Sequence, residues 1–245
     1  MSADSYAESG EFIDVLSQDA WRALRTPVTE ALRHTWPDQG PIVDIGAGTG
    51  LGTLVAARAV PDAEVIAVEP SPILRAALLA RVVVDEDLRR RVTVQATDAE
   101  GMALPARLGG VLAMNMIGHL APDQRRQLWA DLRPRLVPSA PLVVTLQPPS
   151  EPMTVPETSF GSVPIGRGSY EGSGGARPAG PDSVIWTMRY RVIDEDGAVE
   201  RELVAEYPWY VLSAQTLRHE LAAAGYAVTT GDMDVMVATP TNSPP

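Results

Sequence analysis

The chain has no cysteine, which excludes disulfides and thiolate metal sites. Histidine is scarce: His34, His119 and His219 stand far apart, so no metal centre of clustered histidines is expected. Lysine is absent, and all 20 basic residues are arginine, set against 31 acids for a formal net charge of −11. Proteins that bind nucleic acid need basic surface against phosphate, so no nucleic-acid partner is expected. The run Arg89-Arg90-Arg91 follows Asp85, Glu86 and Asp87 and reads as a solvated, mixed-charge turn. No apolar run reaches membrane-spanning length, so no membrane partner is expected. The opening MSADSYAESGEF lacks the basic and apolar regions of a signal peptide, which points to the cytoplasm. There is no P-loop, no Ser-His-Asp set and no zinc motif.

What is present is a chain of 245 residues, 45% hydrophobic, enough to bury the core of one α/β domain with a small addition. Its most informative stretch is Asp44-Ile45-Gly46-Ala47-Gly48-Thr49-Gly50. The apolar run 41–45 leads into a loop with glycine at every second position, and a helix-compatible segment, 51–59, follows at once. Such a strand, turn and helix start brings backbone close to a nucleotide. A second strand-like run, 64–68, ends in Glu69-Pro70, and an acid there can accept hydrogen bonds from ribose hydroxyls. The spacing does not match the dinucleotide fingerprint G-x-G-x-x-G, because Leu51 stands where its third glycine would be.

Strand and helix patterns then alternate: strands over 92–96, 111–115 and 142–146, a helix over 122–136, and a helix capped by Ser71 with Pro72 in its first turn. This order predicts a Rossmann-like, doubly wound, mostly parallel sheet with helices on both faces. Ligands bind such sheets at the carboxyl ends of the strands, where Gly46, Glu69, Asp98 and Asn115 all fall. Ahead of the core, 5–36 reads as an N-terminal helical cap, with Trp21 at core spacing. Residues 147–183, rich in proline, glycine and serine, read as a long irregular loop or lid. The alternating runs around Asp194-Glu195-Asp196-Gly197 predict an antiparallel β-hairpin over 184–210. Trp186, Met188, Tyr190 and Val192 share one face of it, matched by Leu203, Ala205, Tyr207 and Trp209. A hairpin is marginal alone, so this face is expected to pack on its own domain, to roof a site through Trp186 and Tyr190, or to meet a second copy in a homodimer. A closing helix and two strands fill 211–240, and 241–245 reads as a frayed tail. The expected organisation is thus a single domain over 1–240.

With the acid ahead of the first glycine, D-x-G-x-G-x-G resembles motif I of the class I S-adenosylmethionine (SAM) methyltransferases. The resemblance runs over 6–239 and is strongest over 41–146. It implies SAM as cofactor, S-adenosylhomocysteine as product and no metal. It implies that Asp44, Gly46, Ala47, Gly48 and Gly50 meet the amino-acid end of SAM, and that Glu69, beside Pro70, holds the ribose. Gln95-Ala96-Thr97-Asp98-Ala99 resembles the family's adenine-binding segment, so Asp98 and Ala99 are expected at the adenine. Met114-Asn115-Met116-Ile117-Gly118-His119 resembles the segment between cofactor and acceptor, which brings in Asn115 and Met116. His119 is the candidate base, since imidazole titrates near neutral pH. Tyr6 is a second acceptor-side candidate, because an N-terminal aromatic folds over the site in related enzymes. The last portion is similar to bacterial small-molecule methyltransferases, the sugar and glycopeptide N-methyltransferases of antibiotic pathways among them. Two departures stand out: Leu108-Gly109-Gly110 where an Asp usually opens strand four, and Pro138-Ser139-Ala140-Pro141 in place of Pro-Gly-Gly. The expected activity is methylation of a nitrogen or oxygen on a small molecule. The alternatives are an enzyme that keeps SAM structurally and catalyses a cyclisation or rearrangement, a non-catalytic SAM-binding subunit, and an NAD-type site.

Overall fold

A computed structural model describes residues 4–241; most of the expected tail lies outside the described residues. Among the described residues eleven strands form two sheets. In the larger, seven strands lie in the order β10-β11-β5-β4-β1-β2-β3: β1 (Ile42–Ile45), β2 (Val65–Val68), β3 (Val92–Gln95), β4 (Gly110–Ala113), β5 (Leu142–Val144), β10 (Tyr226–Thr230) and β11 (Met236–Pro240). All neighbours pair in parallel except those of β11, which is antiparallel to both β5 and β10. Apart from Asp44 in β1, the central strands read as apolar runs because helices cover both faces. The covering helices are α1 (Gly10–Ala31), α2 (Leu51–Ala59), α3 (Pro72–Val83), α4 (Glu86–Arg91), α5 (Pro122–Leu132) and α6 (Ala214–Ala223). Among the described residues no helix is long and apolar enough to cross a membrane, and no cluster of three or more acids or histidines is placed to hold a metal.

Register fixes where the strands end. Ile45 pairs with Val68 and Val68 with Gln95, so Gly46, Glu69 and Ala96 step off the sheet side by side. Asp44 pairs with Leu112, which brings Met114 and Asn115 to the same edge. The order reverses direction between β1 and β4, and a crevice opens at such a point.

The segment 147–183 is not the expected loop or lid. It contains β6 (Val155–Ile165) and β7 (Gly168–Pro178), which continue through β8 (Ser183–Ile193) and β9 (Val199–Tyr210) as a four-stranded antiparallel meander. The predicted hairpin is therefore half of a second sheet. The glycines within β7 mark close packing rather than turns. A Cβ on Gly172 would run into the Phe160 ring and Leu16, and one on Gly175 would press on the β6 backbone at Val155 and Glu157. The apolar face of this sheet packs on α1: Phe12 stacks on Tyr190 at 5.1 Å and meets Tyr170 at 5.5 Å. Part of that face is thus covered by its own domain. The expected N-terminal helix is shorter than 5–36, and residues 4–9 form turns that reach back over the sheet edge.

Helices α5 and α6 are pinned by a buried ion pair. Arg125 donates through Nε and Nη2 to Glu220 at 3.1 and 2.8 Å and through Nη1 to the Leu120 carbonyl at 3.1 Å. The Trp129 indole N–H donates to the same carboxylate at 3.3 Å. Removing one partner leaves the other charge buried without compensation. Glu220→Ala is expected to cost about 3–5 kcal/mol, read as a lower urea midpoint at pH 7; a loss well under ~1 kcal/mol would show the guanidinium finding water instead.

Candidate active site

The glycine loop leaves β1 through three left-handed residues, Gly46, Gly48 and Gly50, with φ of +67°, +57° and +88°. Only glycine takes these angles without strain. A Cβ on Gly46 would strike Met116, and one on Gly50 would press on Leu78. Beside Gly48 the nearest heavy atom to such a Cβ is the Gly46 carbonyl oxygen at 4.0 Å, so that side of the loop is open. Arg81 ties the loop to its surroundings. It donates to the Thr49 carbonyl at 3.1 Å and holds Asp14 of α1 through both carboxylate oxygens at 2.7 and 2.9 Å.

Glu69 lies directly behind the loop and is buried. Its Oε2 accepts the Gly48 backbone N–H and its Oε1 that of Ser71, both at 2.8 Å. Burial pushes its carboxyl pKa up, and the two N–H groups oppose that shift. Arg75 turns away from the carboxylate and donates to the carbonyl oxygens of Glu69 and Pro70 at 2.9 and 2.5 Å. Asp44, in β1, is buried against Thr53, whose hydroxyl donates to it at 2.6 Å. Burial dominates there too and lifts its pKa to about 6. Gly52 leaves the space beside Asp44 for the ring of Trp21, which joins the core as its spacing predicts.

Beyond β4, Asn115 adopts φ +53°, uncommon for a residue with a side chain and a mark of functional sites. Thr145 stabilises it by accepting its backbone N–H and donating to its Oδ1, both at 2.9 Å. The next turn, Ile117–His119, presents His119. Asp98, expected at the adenine, is exposed and uses Oδ1 to cap its own turn, accepting the N–H groups of Glu100 and Gly101 at 3.2 and 2.9 Å. Ala99 follows it and packs partly buried against the main core.

The N-terminal turns close over this edge. Ser71 donates from its hydroxyl to Asp4 at 2.9 Å. The Tyr6 hydroxyl and His119 Nε2 are 2.8 Å apart. Tyr6 stacks on Tyr207 with ring centroids 5.2 Å apart, and His119 meets Trp209 edge-on at 4.7 Å. His119 is exposed to solvent along one edge, and desolvation by the rings around its imidazole lowers its pKa to about 4. The Tyr6 phenol is driven well above its ordinary value, first by burial and then by the field of Tyr207, Glu69 and Asp4.

Of the expected residues, the structure therefore gathers Gly46, Gly48, Gly50, Glu69, Pro70, Asn115, Met116, Tyr6 and His119 at one sheet edge. Ala47 joins them through its N–H, which donates to the Val68 carbonyl at 3.0 Å. The hairpin expectation needs correction. Tyr190 is fully buried and stacked on Phe12, and the field of Tyr207 and Tyr6 connects it to the site. Trp186 packs partly buried into a cluster with Ala176, Val184, Trp209 and Val211. The hairpin residues that do meet the site are Tyr207 and Trp209, together with Asp4 and Ser9, none of which the sequence singled out as site residues. The only signal for the first pair was their place on the shared aromatic face.

Comparison with known proteins agrees with this geometry. Residues 42–139 match the family model described as a methyltransferase domain. No curated protein sequence matches the chain at a significant level. Among solved structures, DesVI of Streptomyces venezuelae superposes with a TM-score of 0.75 at 16% identity, covering 98% of this chain and 100% of that one. SAM-bound CalS10, an amino pentose methyltransferase from Micromonospora echinaspora involved in calicheamicin biosynthesis, gives 0.74 at 20%, covering 94% and 96%. The sugar N-methyltransferase KedS8 of a Streptoalloteichus species gives 0.66 at 18%, covering 98% and 89%. At such identities these three establish the fold. Together with the matched domain over residues 42–139, they show a methyltransferase-type, Rossmann-like fold with the glycine loop and Glu69 at its sheet edge.

Proposed function

We propose that the protein transfers the methyl group of SAM to the amine nitrogen of a small molecule, an amino sugar or a related amine of secondary metabolism. The residues present fit the cofactor. The open side of Gly48 leaves room against the loop, and the Glu69 carboxylate lies immediately beneath it. In this reading Asp44, Gly46, Ala47, Gly48 and Gly50 hold the amino-acid end, Glu69 with Pro70 the ribose, Asp98 and Ala99 the adenine, and Asn115 and Met116 line the site between cofactor and acceptor. Asp98 keeps Oδ2 for a ligand while Oδ1 caps the turn. The carboxylates of Asp4, Asp44 and Glu69 and the net charge of −11 suit a cationic cofactor and a basic acceptor. The bound cofactor supplies an electrophilic methyl group on sulfonium sulfur.

One observation carries the choice of nitrogen: the imidazole of His119, 2.8 Å from the Tyr6 hydroxyl, is held neutral with a pKa of about 4. So weak a base does not ionise a hydroxyl, whereas an amine needs only its free-base form. Tyr6 and His119 therefore orient the acceptor nitrogen and keep water out, and alignment in a dry site supplies much of the rate. The similar solved structures include an amino pentose methyltransferase and a sugar N-methyltransferase, which supports methyl transfer over rearrangement.

Three measurements test this reading. Calorimetric titration with SAM and with S-adenosylhomocysteine is expected to give micromolar binding to cofactor-free protein, and well-folded protein that binds neither overturns the assignment. Glu69→Ala removes a charged acceptor worth about 1.5–3 kcal/mol per hydrogen bond, so SAM affinity is expected to fall about tenfold or more; an unchanged affinity takes the ribose role from Glu69. With an amino-sugar acceptor followed by S-adenosylhomocysteine release, log kcat/KM is expected to rise with pH up to the acceptor's own amine pKa. No inflection is expected near 6.5, because His119 is already neutral above about 4. A break at 6.5 that disappears in His119→Ala would make the histidine a titrating base.

A further inference from the structure

The hydrogen bond between Tyr6 and His119 joins segments that are remote in sequence, and both partners sit on parts of the chain with little regular structure: a terminal turn and a short turn after β4. What holds them in register is a single strand. Tyr207 and Trp209 lie two positions apart on β9, so their side chains project from the same face about 7 Å apart. Tyr207 lies under the Tyr6 ring, nearly parallel to it, with an interplanar angle of 26°. Its own hydroxyl is fixed 2.6 Å from the hydroxyl of Ser9, which is fully buried at the start of α1. Trp209 meets the His119 ring at 74°. Its indole also lies so close on Gly118 that a Cβ there would fall inside the ring system. Gly118 thus lets β9 approach the turn, and Trp209 sets the imidazole beside the phenol.

We infer that Tyr207 and Trp209 are positioning residues for the Tyr6–His119 pair, so that the four-stranded sheet sets the geometry of the acceptor side without touching the reacting atoms. The role of that pair toward an acceptor rests on the function proposed above; its positioning by β9 does not. The sheet is then a working part of the site rather than a lid, which accounts for the close docking of β9 on the turn after β4.

The imidazole reports on this directly. The ionisable group in contact with it is the Tyr6 phenol, which in turn feels Tyr207, Glu69 and Asp4. The lowered imidazole pKa comes from desolvation. The chain has three histidines, so proton–carbon NMR of the imidazole Cε1–H groups follows each one, and His119→Gln assigns the signal. Wild-type His119 is expected to titrate near 4. Trp209→Ala, which removes the indole, and Gly118→Ala, which pushes it away, are each expected to raise that midpoint by about one pH unit or more. Trp209→Phe is expected to restore it to within about half a unit. Tyr207→Phe, which keeps the stack and loses the Ser9 bond, guards against a Trp209 variant that does not fold; it is expected to raise the midpoint and to broaden the Tyr6 ring signals. A His119 midpoint that stays near 4 in folded Trp209→Ala overturns the inference, as does an equal shift of all three histidines. SAM titration of the same wild-type sample separates the two readings. Loss of SAM binding with the NMR response intact sinks the methyltransferase function and leaves the positioning in place.

Discussion

Two backbone N–H groups converge on one buried carboxylate, and most of the site depends on that meeting. Glu69 accepts from Gly48 in the glycine loop and from Ser71 at the head of α3. An ionised carboxylate in the interior is tolerable only with such donors. The bonds in turn fix the loop, which has no side chains of its own to hold it. The constraint propagates along α3, where Arg81 reaches back to the Thr49 carbonyl and across to Asp14 of α1. It also reaches the N-terminus, since Ser71, once placed, donates to Asp4. The loop, two helices and the terminal turns are therefore set by a single acid at the end of β2.

The two sheets divide the work around that point. The parallel sheet delivers backbone amides and carboxylates, the chemistry that recognises a cationic nucleoside. The antiparallel sheet delivers aromatic rings, which exclude water and lower the imidazole pKa. His119 belongs to the first sheet by sequence and to the second by environment: it follows β4 but is walled by Tyr6 and Trp209. Neutral imidazole and protonated phenol follow from that walling, because desolvation disfavours the charged form of each.

Much of this was legible in the sequence, for identifiable reasons. The alternation of apolar runs with helical segments gave the parallel sheet, since buried parallel strands and amphipathic helices differ in period. The glycine spacing and the acids at the strand ends were readable as one sheet edge because they serve the backbone, whose demands are local. What escaped was non-local. Strands β6 and β7 read as loop because Gly172, Gly174 and Gly175 look like turn signals, although they are there to accommodate Phe160, Met188 and the β6 backbone. Tyr190 and Trp186 were chosen over Tyr207 and Trp209 from the same face, because a shared face does not say which end of a strand meets the site. Asp98 used one oxygen for its turn, an economy visible only once the loop is folded.

The two departures from the family pattern show why so divergent a sequence keeps the fold. Both lie at the amino ends of β4 and β5, opposite the site. Gly109 stands where a side chain would collide with the Gly40 carbonyl, so the start of β4 lies close against the entry to β1, and its N–H donates to the Pro41 carbonyl at 3.0 Å. Ser139 takes φ +69°, where the family pattern has glycine, and accepts a conformation that costs about 1–2 kcal/mol for a residue with a Cβ. Neither change alters an atom at the carboxyl edge. The sheet transmits position and little else, so substitutions at its far end can be absorbed as packing or as modest strain while the loop, the acid and the aromatic walls stay where the register puts them.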